Sequence, residues 1–186
     1  MIFREPLARF YSELHYREWL INYASGDWYY PDYPDAVLYW MWGWGKDYYD
    51  IYESFRNKSR SEVVRTFSTM QMPAHTRQIR YVIGLTGNPQ ITPQQVHDAI
   101  SIIQSVDIVG LADSRNLWVQ QLSNLAGQQV SARARQAMHV SANPGAWSMP
   151  PRDIVLRATE LLWADRAIYS AAELIAHSRY SNLNSD

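Results

Sequence analysis

MIFREPLARFYS, residues 1–12, sets three apolar residues ahead of an arginine, an acid and a proline, then places a second arginine and a serine inside an apolar run. Pro6 suits the first helical position, where its missing N–H costs nothing. Leu7, Phe10, Tyr11, Leu14 and Ile21 follow on one face at helical spacing, which predicts a helix from about Glu5 to about Tyr23. Met1 to Phe3 then read as the tail of a strand. With Arg4 closing that strand and Ser12 two turns up the helix, roughly 12 Å of helix rise separates the two, and an extended arginine folds back over much of that distance. Three readings fit the polar residues: an ordinary helix start, a surface salt-bridge array, or half of an anion site. In the third, guanidinium and hydroxyl hold a tetrahedral anion, and the helix N-terminus adds N–H donors and a favourable dipole.

A chain of 186 residues suffices for one domain with a substantial core and is short for two. With 47% hydrophobic and 19% charged residues it has globular composition. The formal net charge of -1 provides no global field to draw in nucleic acid or an anionic membrane, so an anion site must be local. Of the 17 cationic residues only Lys46 and Lys58 are lysine. Arginine favours bidentate contacts with phosphate or carboxylate, whereas phosphate chemistry often uses a lysine as a movable point charge. The absence of cysteine excludes disulfides, thiolate metal sites and cysteine nucleophiles, and no metal site is expected. No apolar run approaches the roughly 20 residues that span a bilayer, and MIFREPLARF lacks the basic and apolar regions of a secretory signal.

Further along, residues 24–35 read as a loop, and AVLYWMWGWGKDYYDIYESF, residues 36–55, as two short helices around a glycine bend. Ser61 to Met70 predicts a short helix. Pro73 opens another, carrying His75, Arg77, Gln78, Tyr81 and Ile83 and closing near Gly84. Thr92-Pro93-Gln94-Gln95 is a capping-box pattern ahead of an amphipathic helix with Val96, Ala99, Ile100, Ile103 and Val106 inward. Ile108 to Ala112 is a short buried strand, and Ser114 to Ala126 a helix with apolar positions Leu117, Val119, Leu122 and Leu125, ended by Gly127. The last helix runs from about Arg152 to His177 with the stripe Ile154, Ala158, Leu161, Asp165, Ile168, Ala172 and Ile175. A charge in such a stripe must be paired or hydrogen-bonded, so Asp165 is read as tethering an arginine or a helix N-terminus. The expected class is α/β: mostly helical, one domain over 1–186, with a small parallel sheet.

REPLARFYS, residues 4–12, resembles the R-[D/E]-P-x-x-R-F-x-S motif of sulfotransferases, especially the carbohydrate (Golgi-type) family that uses 3'-phosphoadenosine 5'-phosphosulfate. The resemblance implies that Arg4 and Ser12 hold the donor's 3'-phosphate. Three later pieces are similar in order and rough spacing: HTRQIRYVIG (75–84), VDIVGLADSRNLWVQQLSNLAG (106–127), and Asp165 with Tyr169 in ADRAIYSAA (164–172). What it implies is a mostly helical remnant of a P-loop-like fold and an activity transferring a sulfuryl group to a carbohydrate hydroxyl. The partner would be a glycan or other hydroxyl acceptor, and the compartment the Golgi lumen or membrane if the full-length parent is a eukaryotic member.

Against the family pattern, no glycine- and lysine-bearing loop for the 5'-phosphosulfate is present, and neither Lys46 nor Lys58 lies in a glycine-rich turn. The expectation is therefore the carboxyl-terminal portion of the domain, inactive or weakly active by itself, with no assignable catalytic residue. His15, His75, His97, His139 and His177 each have a suitable intrinsic pKa, but nothing sets one beside an acceptor, and a surface or packing role is expected. Arg77 and Arg80, three apart on one helical face, could reach a donor phosphate or an acceptor anion, and the expected reading is a solvated face. Two rival readings stand beside this one. The first is a non-catalytic glycan-binding or protein-interaction module built on the aromatic patch 28–49, where Trp and Tyr faces stack on sugars or fill a core. The second is an ordinary helical domain without a ligand.

Overall fold

The computed structural model describes residues 1–12, 60–69, 71, 73–85, 90–127 and 150–183. Their elements are β1 (Ile2–Phe3), α1 (6–12), α2 (Arg60–Thr69), a 3-10 turn (Pro73–Thr76), α3 (Arg77–Ile83), α4 (Pro93–Ser105), β2 (Gly110–Leu111), α5 (Arg115–Ala126), α6 (Arg152–Leu161) and α7 (Trp163–Leu183). The continuation of the first helix beyond Ser12, the aromatic patch 28–49, both lysines, His15 and His139 lie outside the described residues.

The two strands form a parallel pair with Ile2 opposite Gly110 and Phe3 opposite Leu111. Gly110 N–H donates to Met1 O at 2.8 Å and Ala112 N–H to Phe3 O at 2.7 Å. A mostly helical chain with a small parallel sheet is thus what the sequence predicts and what forms. Parallel sheets survive when both faces are covered, and here α5 and α7 pack against β2. Phe3, Val109 and Leu111 are buried with Ile79, Ile103 and Ile168 in one core. Burying each such side chain stabilises by about 1.5–3 kcal/mol.

Helix ends follow their local signals. Thr92 Oγ1 accepts from Gln95 N–H at 3.2 Å while Gln95 Oε1 accepts from Thr92 N–H at 2.8 Å, closing the capping box at α4. Gly84 and Gly127 end α3 and α5 in the left-handed conformation, at φ 65° and 61°, which glycine adopts without a Cβ penalty.

Two helical expectations are corrected. The last helix is two helices, α6 and α7, meeting at Leu162, and it reaches Leu183. The stripe holds at Ile154, Ala158, Asp165, Ile168 and Ala172, all buried; at the break Leu162 replaces Leu161 as the fully buried residue, and near the end Ala176 is buried where Ile175 was expected, with Ile175 packed partly buried against the core. In α5, of the expected apolar positions Val119 is buried and Leu122 and Leu125 are exposed, while Gln121 is buried and Trp118 approaches the sheet at Gly110.

Arg179, on α7, ties the helix to the far end of α4. Its guanidinium donates to Gln104 O at 2.9 Å, Val106 O at 2.6 Å and Asp107 O at 3.1 Å. The first two are carbonyls that the C-terminus of α4 leaves open, and the third follows directly after its cap. Arg179→Ala is expected to lower stability by about 1–3 kcal/mol, since the carbonyls lose a charged donor. Arg179→Lys, a single ammonium without the planar fork, should recover only part of this. Urea denaturation midpoints check it.

Candidate functional site

The polar groups of residues 4–12 take different roles: Glu5 caps the helix, Arg9 forms a buried ion pair, and Arg4 meets Ser12 at the surface. Glu5 is the cap of α1: its carboxylate accepts from Leu7 N–H at 3.1 Å and from Ala8 N–H at 2.6 Å, and its carbonyl accepts from Arg9 N–H at 2.9 Å. A carboxylate there is favoured by both the open N–H groups and the helix dipole. This corrects one part of the anion-site reading. The N–H donors of Leu7 and Ala8 are engaged by Glu5, so the helix N-terminus does not offer them to a bound anion.

Arg9, the second arginine, turns inward to an ion pair with Asp165, Nη2 to Oδ2 at 3.3 Å, with the aspartate fully buried and the arginine side chain 12% exposed. Asp165 also accepts from Gln78 N–H at 3.0 Å and from Ile79 N–H at 2.9 Å, at the start of α3. The aspartate therefore tethers an arginine and a helix N-terminus at once. Residues distant in sequence, on α1, α3 and α7, meet on one carboxylate.

Arg4 and Ser12 come together. The Arg4 guanidinium donates from Nη1 to Ser12 Oγ at 3.2 Å, and both residues are exposed. The arginine folds back along α1 and spans its first two turns, so guanidinium and hydroxyl lie side by side at the surface. The main chain of Arg4 is gripped from the side by Gln78: Arg4 N–H donates to Gln78 Oε1 at 2.9 Å, and Gln78 Nε2 donates to Arg4 O at 3.0 Å. A side-chain amide here reproduces the two hydrogen bonds that a neighbouring strand would make, immediately after β1 ends.

Tyr169, on α7, has its pKa raised by burial first and then by the carboxylates of Glu173, Asp113 and Glu5. Three carboxylates thus act on the tyrosine from α7, from the turn after β2 and from the cap of α1.

The remaining candidates separate. His75 is fully buried and stacks on Phe10, with ring centroids 4.5 Å apart, whereas His97 and His177 are exposed on α4 and α7. Arg80 is not on a solvated face, which corrects that expectation: it is buried, and its Nε donates to Thr76 Oγ1 at 2.8 Å. Arg77 lies over the Tyr81 ring at 5.6 Å and donates to its hydroxyl at 3.2 Å. Neither arginine contacts Arg4 or Ser12 by any described hydrogen bond. Among the described residues no group of three or more His, Asp or Glu side chains could hold a metal, and no helix is long and apolar enough to cross a membrane.

Tyr11, one residue before Ser12, is buried, and burial raises its pKa above 10.0, opposed in part by the Ser68 hydroxyl. A raised folded value means that the unfolded chain ionises first. The stability that the neutral phenol contributes is whole below pH 10 and is lost as pH rises through the folded value. Tyr11→Phe is expected to make the fall in stability between pH 9 and pH 11 shallower than in the wild type, measured by urea unfolding at each pH.

Sequence reasoning identified Arg4, Ser12 and Asp165 but did not assign Gln78 a role. A glutamine inside a helical pattern carries no signal of its own, and its partner lies 74 residues away. No family model, curated protein or solved structure matches the chain.

Proposed function

We propose that the chain is a carboxyl-terminal portion of a sulfotransferase-like, P-loop-like domain in which Arg4 and Ser12 hold the 3'-phosphate of 3'-phosphoadenosine 5'-phosphosulfate. The observation that carries this reading is the 3.2 Å approach of the Arg4 guanidinium to the Ser12 hydroxyl, two turns apart at the end of a parallel strand. Guanidinium and hydroxyl together offer several N–H donors and one O–H to the oxygens of a phosphate, which suits a doubly charged terminal oxyanion better than a neutral group. Strand, proline and helix stand in the order that the motif requires, and the second strand of the similarity, around Gly110 and Leu111, pairs directly with the first.

In the complete domain the sulfuryl group would pass from the phosphosulfate to an acceptor hydroxyl, most naturally of a carbohydrate. The nucleotide bisphosphate would be released and the hydroxyl proton taken by a base. Such transfers depend on positioning and charge neutralisation. Arg4 and Ser12 supply the first of these at the far phosphate and leave the reacting group untouched.

Isothermal titration with adenosine 3',5'-bisphosphate tests the reading. Saturable heat is expected with the wild type, and Arg4→Ala should weaken the affinity by about 10- to 100-fold, the loss of charge-assisted hydrogen bonds to a phosphate. Ser12→Ala should weaken it less. An isotherm unchanged by Arg4→Ala, or no heat from the wild type, would remove the donor-site assignment. The glycan-binding alternative rests on the aromatic patch 28–49, outside the described residues, and a glycan array probed with the same protein addresses it.

A further inference from the structure

The position of Arg4 is decided by a residue that the motif does not contain. We infer that Gln78 is a positioning residue of the Arg4–Ser12 pair: its side-chain amide grips the Arg4 main chain on both sides and so sets where the guanidinium meets Ser12. The inference rests on the donor-phosphate reading above for its consequence, but the grip itself is independent of any ligand.

Three observations combine. Gln78 uses both functional atoms of its amide on one residue, accepting from Arg4 N–H at 2.9 Å and donating to Arg4 O at 3.0 Å. A glutamine side chain with both ends engaged has no freedom left about its last torsion, and it is 9% exposed. Gln78 in turn is held by its own main chain, whose N–H donates to the buried Asp165, as does that of Ile79. The same carboxylate takes Arg9 of α1. Asp165 therefore fixes α1 and α3 relative to each other, and Gln78 transfers that registration to Arg4, the residue at which β1 gives way to α1. The main-chain atoms of Arg4 lie where the strand pairing has stopped: Phe3 is the last residue of β1 paired with β2. Without the amide, Arg4 would be the first unpaired residue on that edge. Its long side chain would then lose the fixed origin from which it reaches Ser12.

A purely structural glutamine would lower stability on substitution without altering the anion site of the folded molecule. A positioning glutamine alters that site through Arg4 and only through Arg4. The test is a double-mutant cycle on the affinity for adenosine 3',5'-bisphosphate, run on Gln78→Leu, Arg4→Ala and the double variant, at a temperature where thermal melts show each variant folded. Gln78→Leu is expected to weaken binding about tenfold in the Arg4 background and to have no effect in the Arg4→Ala background, a coupling of the size found between residues in contact. Gln78→Glu keeps an acceptor for Arg4 N–H and loses the donor to Arg4 O, so its affinity should fall between those of wild type and Gln78→Leu. It also serves if the leucine variant does not fold.

A second readout needs no ligand. Rotation of the Arg4 guanidinium about its Nε–Cζ bond, followed by nitrogen-15 NMR, is expected to be slow in the wild type and to accelerate in both Gln78→Leu and Ser12→Ala. If Arg4→Ala abolishes binding while Gln78→Leu leaves affinity and guanidinium rotation as in the wild type, the positioning role is overturned and the donor site stands. If the wild type binds no bisphosphate, the donor site falls, and acceleration of guanidinium rotation in Gln78→Leu decides the positioning role by itself.

Discussion

Asp165→Ala is expected to destabilise the protein by about 3–5 kcal/mol, enough to consume much of the 5–15 kcal/mol by which a domain of this size is ordinarily folded. The side chain is fully buried, and its donors include the main-chain N–H groups of Gln78 and Ile79 and the guanidinium of Arg9. Replacing the intact arrangement with well-packed apolar residues could be nearly neutral, because the desolvation of both charges is then avoided. Removing the carboxylate alone is different. It strands two buried N–H groups and weakens the hold on a mostly buried arginine, and each stranded donor retains its full desolvation cost. Asp165→Asn keeps one carbonyl oxygen but turns an NH2 group toward donors, and should fall between wild type and alanine. Guanidinium denaturation monitored by circular dichroism measures all three. A midpoint for Asp165→Ala within error of wild type would show that the start of α3 does not depend on this carboxylate.

Gly110→Ala is expected to be the next most damaging single change, at about 1–3 kcal/mol or more. A Cβ at this position would lie 2.6 Å from Trp118 Cγ and 2.7 Å from Trp118 Cβ. Rotation about χ1 would carry Cγ away, but Cβ is fixed to the backbone of α5 and no rotamer change clears it, so α5 must move away from β2. Gly110 is one of the two paired residues of β2, opposite Ile2, so the displacement also strains the sheet from which Arg4 emerges. A consequence separates this cause from a general intolerance of the strand. Trp118→Ala in the Gly110→Ala background should not restore stability, because the Trp118 Cβ contact persists. Recovery of the wild-type melting temperature in that double variant would place the cause in the ring instead.

How much of this was legible beforehand can be judged residue by residue. The strand character of residues 1–3 and of the segment around Gly110 and Leu111, the capping box at Thr92, and the ends at Gly84 and Gly127 follow from local chemistry, whereas the pairing of the two strands joins residues about a hundred positions apart. Asp165 was also legible, because an acid inside an apolar stripe demands partners wherever it occurs. Which partners it takes was not, since Arg9 lies 156 residues away. The approach of Arg4 to Ser12 was permitted by helix geometry, but the engagement of the Leu7 and Ala8 N–H groups by Glu5 was not anticipated, although an acid directly before Pro6 is an N-cap signal.

By itself the sequence determined the capping box at Thr92, the glycine stops at Gly84 and Gly127, and which short segments have strand character. Those outcomes are satisfied by groups within about four residues of one another, so the residues that decide them are adjacent in the chain. Tertiary structure alone decided the rotation of α5 and the burial of Arg80. It also decided the break at Leu162, the convergence of three helices on Asp165 and the grip of Gln78 on Arg4. Most of these depend on groups separated by tens of residues or more, whose meeting is set by how whole elements pack. A pattern of residue types along one element carries no record of what will be brought against it.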